Sequence, residues 1–370
     1  MRKLVIIAIA GLGIASTVSS AQARDFVTAD DQARFVAGLA VAPDSPLAPY
    51  MRTPVWQEHA LQLDAAWDKC EQRALSKARA WAGEFIGGSH RGTAPMFYMF
   101  SGPDILFANT MFPNASTYVL CAAEPIGSFP DLTKQPPGAI DPALANLRRT
   151  LNTVLRFSYF ITKDMRADLA DDRLKGTVPV MCFFLARLGC TVQTIEDVQL
   201  DVSGHLGRGK TPGVKITFSA SGPTQTLYYF KTDLSNGGIK NSGVLPFCER
   251  LGDGSALLKA ASYLMHGDDF STVRSFLLNH CRTIVQDDSG IPLRSFDQQE
   301  WKLRYFGNYI GPIELFQKYY QRDLAAFYAQ AKPAPLDFAL SYRNDPREAI
   351  IMVGTRSGES RPIPRAEPVR

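Results

Sequence analysis

The segment 95–123 constrains the fold more than any other part of the chain. It is rich in Phe, Met, Tyr and Val, and Asp104 carries its only formal charge. Strands without charges are typical of parallel sheets, in which helices cover both faces. We therefore predict two buried strands, at about residues 96–100 and 117–121, with a short helical piece between them.

The remaining patterns predict an α/β (or α+β) fold. It would hold a mixed sheet with flanking helices, an antiparallel C-terminal extension and an N-terminal helical arm. Residue content and spacing predict further strands at 191–202, 214–219, 226–232, 283–285, 291–296, 301–306, 335–341 and 349–353. Caps and apolar spacing predict helices at 30–39, 53–85, 141–155, 162–170, 255–266, 271–279 and 313–328.

The N-terminus predicts a secretory signal peptide. Met1, Arg2 and Lys3 precede an apolar run at 4–14, and a small-x-small site ends at Ala23, which are the three parts of such a signal. We expect cleavage after Ala23 and export to a periplasm or out of the cell. No later run approaches the roughly 20 apolar residues that a membrane span needs.

These patterns divide the chain into four segments. They are the signal peptide at 1–23, a helical arm at 24–88, a main α/β domain at 89–355 and a flexible tail at 356–370. The length also permits two domains. Forty Lys and Arg face 36 Asp and Glu, and this near balance without basic blocks argues against a nucleic-acid partner.

The six cysteines leave two interpretations open. In an oxidising compartment an even number of cysteines permits disulfides, and Cys182 with Cys190 is the best local pair. Several cysteines also lie within apolar runs, where a small buried thiol fits equally well.

Polar residues follow several of the predicted strands. Ligands of open α/β sheets bind outside the carboxyl ends of the strands. The sequence therefore predicts a cleft for a small polar or glycan-like ligand, and its residues would be Ser101, Asp104, Glu124, Asp233 and Asp287. The aromatic runs at 228–230, 305–306 and 319–320 would floor a sugar site or fill the core.

The acidic candidates each have a structural alternative. Asp104 needs a partner in its apolar surroundings, and it is either a functional carboxylate or the N-cap of a helix that starts near Ile105. Asp287 and Asp288 are either the tip of a hairpin or hard oxygen ligands for Ca²⁺ or Mg²⁺. His266 is the best acid/base candidate, although its place at a predicted helix end also suits dipole stabilisation.

Three function classes remain open from the sequence. The first is a binding protein for a small-molecule or glycan ligand. The second is a hydrolase in which Asp104, Asp233, Asp287 and Asp288 hold a divalent cation, with Asp104 and His266 as catalytic groups. The third is an envelope interaction protein that uses the helical arm, for which the sequence names no protein partner.

Overall fold

The computed structural model describes residues 24–87, 93–129, 131–135, 138–159 and 174–357. The predicted signal peptide, the predicted helix at 162–170 and the chain beyond residue 357 lie outside the described residues. Within the described ranges, no helix is long and apolar enough to cross a membrane.

Nine strands in the described ranges form a single sheet. They are β1 (Met96–Met99), β2 (Thr117–Ala122), β3 (Thr191–Leu200), β4 (Thr211–Ser219), β5 (Gln225–Lys231), β6 (Gly254–Leu258), β7 (Cys281–Gln286), β8 (Trp301–Gly307) and β9 (Ile350–Arg356). Their order is β3-β4-β5-β2-β1-β6-β7-β9-β8. The five central strands, from β5 to β7, are parallel, and a pair of antiparallel strands extends each edge. The predicted α/β fold with a mixed sheet is confirmed.

The central strands are buried on both faces. All four residues of β1 are buried, and their side chains alternate between two hydrophobic clusters. Met96 and Tyr98 belong to one cluster, and Phe97 and Met99 belong to the other. This is the period of two that a strand imposes, and it explains why the segment carries so little charge.

Helices cover both faces of the sheet. They are α1 (Ala29–Val36), α2 (Pro54–Cys70), α3 (Ser76–Phe85), α4 (Ile105–Met111), α5 (Ile140–Phe157), α6 (Val178–Arg187), α7 (Asn236–Ile239), α8 (Val244–Leu251), α9 (Ser271–His280) and α10 (Arg322–Ala331). Helices α1 to α6 contribute to the first cluster and α7 to α9 to the second, whereas α10 packs in a smaller third cluster.

The N-terminal helices are part of the main core. The Thr53 hydroxyl accepts a hydrogen bond from the Trp56 amide at 3.3 Å and so caps α2 as predicted. One π-helical turn, Glu71–Leu75, joins α2 to α3. Buried side chains of both helices, such as Leu63 and Trp81, lie in the same cluster as the sheet. The long apolar stripe thus packs against its own chain.

The prediction of a helix at 255–266 was wrong over its first half. The structure has strand β6 there, followed by a 3-10 helix, Ala261–His266. All five residues of β6 are buried, and a short apolar run that is buried on both faces does not reveal its period.

Two predicted strands are also absent from the described chain. At 291–296 the Gln286 side-chain amide takes both backbone groups of Ile291, at 2.7 and 2.9 Å, and a 3-10 turn follows at Leu293–Ser295. At 335–341 there is no regular structure, and the Ala339 carbonyl accepts from the Ser158 hydroxyl. Side chains replace the ladder partners that a strand would need.

All six cysteines are free and buried, so the Cys182–Cys190 disulfide is not formed. Both of these cysteines lie in the main hydrophobic cluster. Burial raises the pKa of Cys190, like that of Cys70, to about 11. These thiols stay protonated at neutral pH and are poor nucleophiles.

Candidate functional site

The sheet has a topological switch point between β1 and β6. The chain leaves β1 toward β2 and β5 on one side, and it leaves β6 toward β7 on the other. Because these strands are parallel, their carboxyl ends meet at one edge of the sheet. Ligands of open α/β sheets bind in the crevice at such a point.

A cavity of about 640 Å³ opens at this edge, and we call it the switch-point cavity. Its volume falls within the range of roughly 300–1,000 Å³ that small-molecule sites occupy. Four of the residues predicted from the sequence line it, and these are Ser101, Asp104, Glu124 and Asp233. Asp287, Asp288 and His266 do not line it.

Asp104 forms a buried ion pair with Lys259, a residue that the sequence analysis missed. Lys259 Nζ lies 2.8 Å from Asp104 Oδ2, and the two residues are 3% and 1% exposed. The Tyr98 hydroxyl donates to the same oxygen at 3.0 Å, and the Phe107 amide donates to Oδ1 at 3.1 Å. Asp104 is therefore the N-cap of α4, and the capping alternative is confirmed.

Burial and the ion pair have opposite effects on the ionisation of Asp104. Burial raises the pKa of Asp104, whereas the Lys259 ammonium favours its charged form. Lys259 also donates to the Ser158 carbonyl and lies 4.5 Å from the centroid of the Phe107 ring. Both charges are fully engaged, so the pair fixes β1, α4 and β6 relative to one another.

The backbone is strained where β1 and β6 end. Phe100 has φ 62° and Ala260 has φ 59°, positive values that residues other than glycine rarely adopt. Strain of this kind costs about 1–3 kcal/mol per residue and concentrates at functional sites. Ser101, next to Phe100, donates from Oγ to the Gly102 carbonyl at 2.8 Å.

Glu124 is the least satisfied group in the cavity wall. It follows β2, is 6% exposed, and its Oε2 has no hydrogen-bond partner in the described chain. The Tyr229 hydroxyl donates to the backbone carbonyl of Glu124 at 3.0 Å and so holds the residue in place. A buried carboxylate oxygen without a donor is costly, and a ligand that supplies a donor would relieve that cost.

Asp233 serves a local turn as well as lining the cavity. Its Oδ1 accepts from the Ser235 amide at 2.8 Å and its Oδ2 accepts from the Ser235 hydroxyl at 2.8 Å. Ser235 is in turn the N-cap of α7. The carboxylate keeps free acceptor capacity, because an ionised carboxylate offers about four lone-pair sites.

Asp287 lies in a tight turn behind the cavity wall. Its Oδ2 accepts from the amide of the strained Ala260 at 2.9 Å, and its Oδ1 accepts from the Ser289 amide at 2.8 Å. The predicted turn chemistry is present, but no second strand follows, so the turn is not a hairpin tip.

Asp288 and His266 belong to a buried cluster on the far side of that turn. The Tyr263 hydroxyl donates to Asp288 Oδ2 at 2.7 Å. Burial and the neighbouring charge of Asp287 raise the pKa of Asp288 to about 7. Burial lowers the pKa of His266 to about 4, and its ring packs against Tyr263 and Tyr319. His266 is therefore neutral at pH 7, and it does not line the cavity.

The predicted metal ligands do not converge. Asp104 pairs with Lys259, Asp233 bonds to Ser235, and Asp287 and Asp288 bond to separate groups. Across the described ranges, no three His, Cys, Asp or Glu side chains are grouped so that they could hold a metal ion.

The aromatic residues at the cavity differ from those that the sequence analysis proposed for a sugar site. Tyr229, Phe230 and Phe306 of the predicted runs are core residues. The cavity is lined instead by two ring pairs. Phe100 and Phe270 have centroids 5.6 Å apart, and Tyr159 and Tyr342 have centroids 4.7 Å apart.

Comparison with protein-family models, curated proteins and solved structures finds no match for this chain.

Proposed function

We propose that this chain binds a small polar ligand with sugar-like hydroxyl groups in the switch-point cavity. The observation that carries the proposal is the buried carboxylate of Glu124, a residue that lines the cavity and whose Oε2 lacks a donor in the described chain. A bound hydroxyl would supply that donor.

The rest of the wall supports a ligand with both polar and apolar surface. Ser101, Thr232 and Asp233 present oxygen atoms, whereas the two aromatic pairs present flat apolar faces. Ligand sites typically combine an apolar lining with a few convergent polar groups. Sugars match this pattern because one face of the ring is apolar and its edge carries hydroxyls.

The contacts of the wall favour binding over hydrolysis. Asp104 is held by Lys259, and His266 lies outside the cavity. The Ser101 hydroxyl donates to backbone carbonyls, so no described side chain activates it as a nucleophile. The polar side chains of the cavity wall are therefore hydrogen-bonding groups in a preformed cleft.

Calorimetric titration tests the proposal, with glucose, N-acetylglucosamine and maltose as probes. We expect at least one probe to bind and Glu124→Gln to weaken it about tenfold, because a hydrogen bond to a charged acceptor is lost. Glu84→Gln, an exposed change on α3, is the matched control and should bind as wild type does. Absence of binding by all three probes, or equal binding by Glu124→Gln, would contradict the proposal.

We also propose that the chain acts after export, on the basis of the signal pattern at 1–23. Expression of the full chain in a bacterium with a secretion system should yield a product whose intact mass corresponds to cleavage after Ala23. Recovery of uncleaved chain in the cytoplasm would contradict export.

A further inference from the structure

We propose that the ligand carries a protonated amine, which Glu124 receives as an ion pair inside the switch-point cavity. The inference rests on the binding function proposed above and narrows the class of ligand from a polar molecule to a cationic one, such as an amino sugar with a free amine.

The buried Glu124 carboxylate lacks a partner of opposite charge in the described chain. The carboxylate is nine-tenths buried, and no described Lys, Arg or His forms an ion pair with it. Buried carboxylates in folded proteins are ordinarily paired or hydrogen-bonded. Glu124 Oε2 has neither kind of partner in the described chain, so this residue of the cavity lining keeps an unused acceptor for a charged donor.

The charged side chains of the cavity wall also favour a cationic ligand. Among the described residues, five charged side chains line the cavity, and they are Asp104, Glu124, Lys231, Asp233 and Lys259. Lys259 is neutralised by its contact with Asp104. The exposed Lys231 and the carboxylates of Glu124 and Asp233 remain, so the described part of the wall carries an excess of one negative charge. A cation restores the balance, whereas an anion would add to the excess.

Aromatic rings that line the cavity favour a cation as well. Phe100 with Phe270, and Tyr159 with Tyr342, bring four rings to the same cavity. The face of an aromatic ring attracts a cation placed within about 6 Å of its centroid. A cavity that is lined by a carboxylate and by aromatic rings is therefore suited to an ammonium group.

A neutral hydroxyl could also donate to Glu124. The choice between a hydroxyl and an amine follows from the strength of the interaction that each makes with the carboxylate. Both contacts have an ionised acceptor, and only the ammonium adds the attraction between two opposite full charges, which is stronger in a buried site than in water. A ligand with an amine in the place of a hydroxyl is thus expected to bind about tenfold more tightly.

The experiment compares glucosamine with glucose, which differ by one amine in the place of one hydroxyl. N-acetylglucosamine serves as a neutral control for bulk at the same position. Titrations of the whole chain at about pH 6 keep the amine protonated. We expect glucosamine to bind wild type about tenfold more tightly than glucose or N-acetylglucosamine does.

Two variants locate the preference. Glu124→Gln keeps the shape and removes the charge, and it should abolish the preference for glucosamine. Glu84→Gln makes the same change on the exposed side of α3, outside the cavity, and it should keep the preference. Circular dichroism spectra of both variants establish that they are folded.

Each outcome decides between the two proposals. Equal affinities of wild type for glucosamine and glucose would overturn the amine inference and leave the binding function standing. A preference that survives in Glu124→Gln would also overturn it, because the amine would then be recognised elsewhere. No binding by any sugar, aminated or neutral, would overturn both.

Discussion

At the scale of single residues, the pairing of Asp104 with Lys259 is the clearest balance of opposed energies. Removing two charges from water is costly, and their attraction compensates only while both are present. Tyr98 and the Phe107 amide supply the remaining hydrogen bonds to the carboxylate. The buried Asp104 carboxylate therefore depends on the Lys259 ammonium beside it.

We expect Lys259→Met to lower the free energy of unfolding by about 3–5 kcal/mol, because it leaves Asp104 buried without its cation. Adding Asp104→Asn to Lys259→Met should recover part of that loss, since no unpaired charge remains. Urea denaturation of wild type, the two single variants and the double variant measures the coupling. Strictly additive losses would show that the pair has no mutual stabilisation.

The cluster behind the cavity predicts a particular dependence of stability on pH. The pKa of Asp288 is raised to about 7 from its ordinary value of 3.8, so the folded chain holds a proton that the unfolded chain releases between these values. Stability from this group is present at low pH and is lost as the pH rises from about 4 to 7. His266, whose pKa is lowered to about 4 from 6.5, has the opposite effect. The stability that neutral His266 contributes to the fold is lost as the pH falls.

Substitutions should separate these two opposed contributions. Relative to wild type, Asp288→Asn should gain about 2–4 kcal/mol of stability between pH 4 and pH 7. His266→Gln should lose stability relative to wild type as the pH rises from about 4 to 6.5. Urea denaturation at several pH values checks both slopes. Parallel pH profiles for wild type and both variants would contradict the pKa directions.

At the scale of elements, the strands without charge were predictable and the second strand of the switch point was not. Strands β1 and β2 stand out because 95–123 holds one charge among many apolar residues. Strand β6 is five residues long, and its apolar run has the same appearance in a strand and in a buried helix. Its flanking Gly252 and Gly254 were the available signal for a strand.

That one misassigned element explains which part of the site was missed. Ser101, Glu124 and Asp233 follow strands that the sequence places correctly, and they meet in the cavity. Lys259 follows β6, so no sequence pattern placed it beside Asp104. Tyr159 and Tyr342 reach the cavity through tertiary packing, which residue spacing alone does not encode.

The junction after β6 provides a prediction at this scale. Ala260 has φ 59° and is held there by its bond to Asp287. Ala260→Gly should raise the free energy of unfolding by about 1 kcal/mol, because relief of strain exceeds the entropy that glycine adds to the unfolded chain. The same substitution at Ala256, inside β6, lacks that relief and should lower stability by about 1 kcal/mol. Thermal denaturation compares the two, and equal destabilisation would show that Ala260 carries no strain.

At the scale of the whole molecule, the sheet order explains how distant residues form one cavity. Residues 101, 124, 233 and 259 are far apart in sequence, yet each follows one of four adjacent parallel strands. Helices pack on both faces of the sheet, which leaves its carboxyl edge for the cavity. The rigid sheet therefore positions the cavity wall before any ligand arrives.

The most direct test of this account is to map amide chemical shifts while glucosamine is added to the ¹⁵N-labelled protein. We predict perturbations concentrated at four segments, 100–104, 122–124, 231–234 and 259–260, with little change at Asp288 and His266. Perturbations that cluster on another surface, or none at saturating sugar, would contradict the central claim that the switch-point cavity is a binding site for a polar ligand.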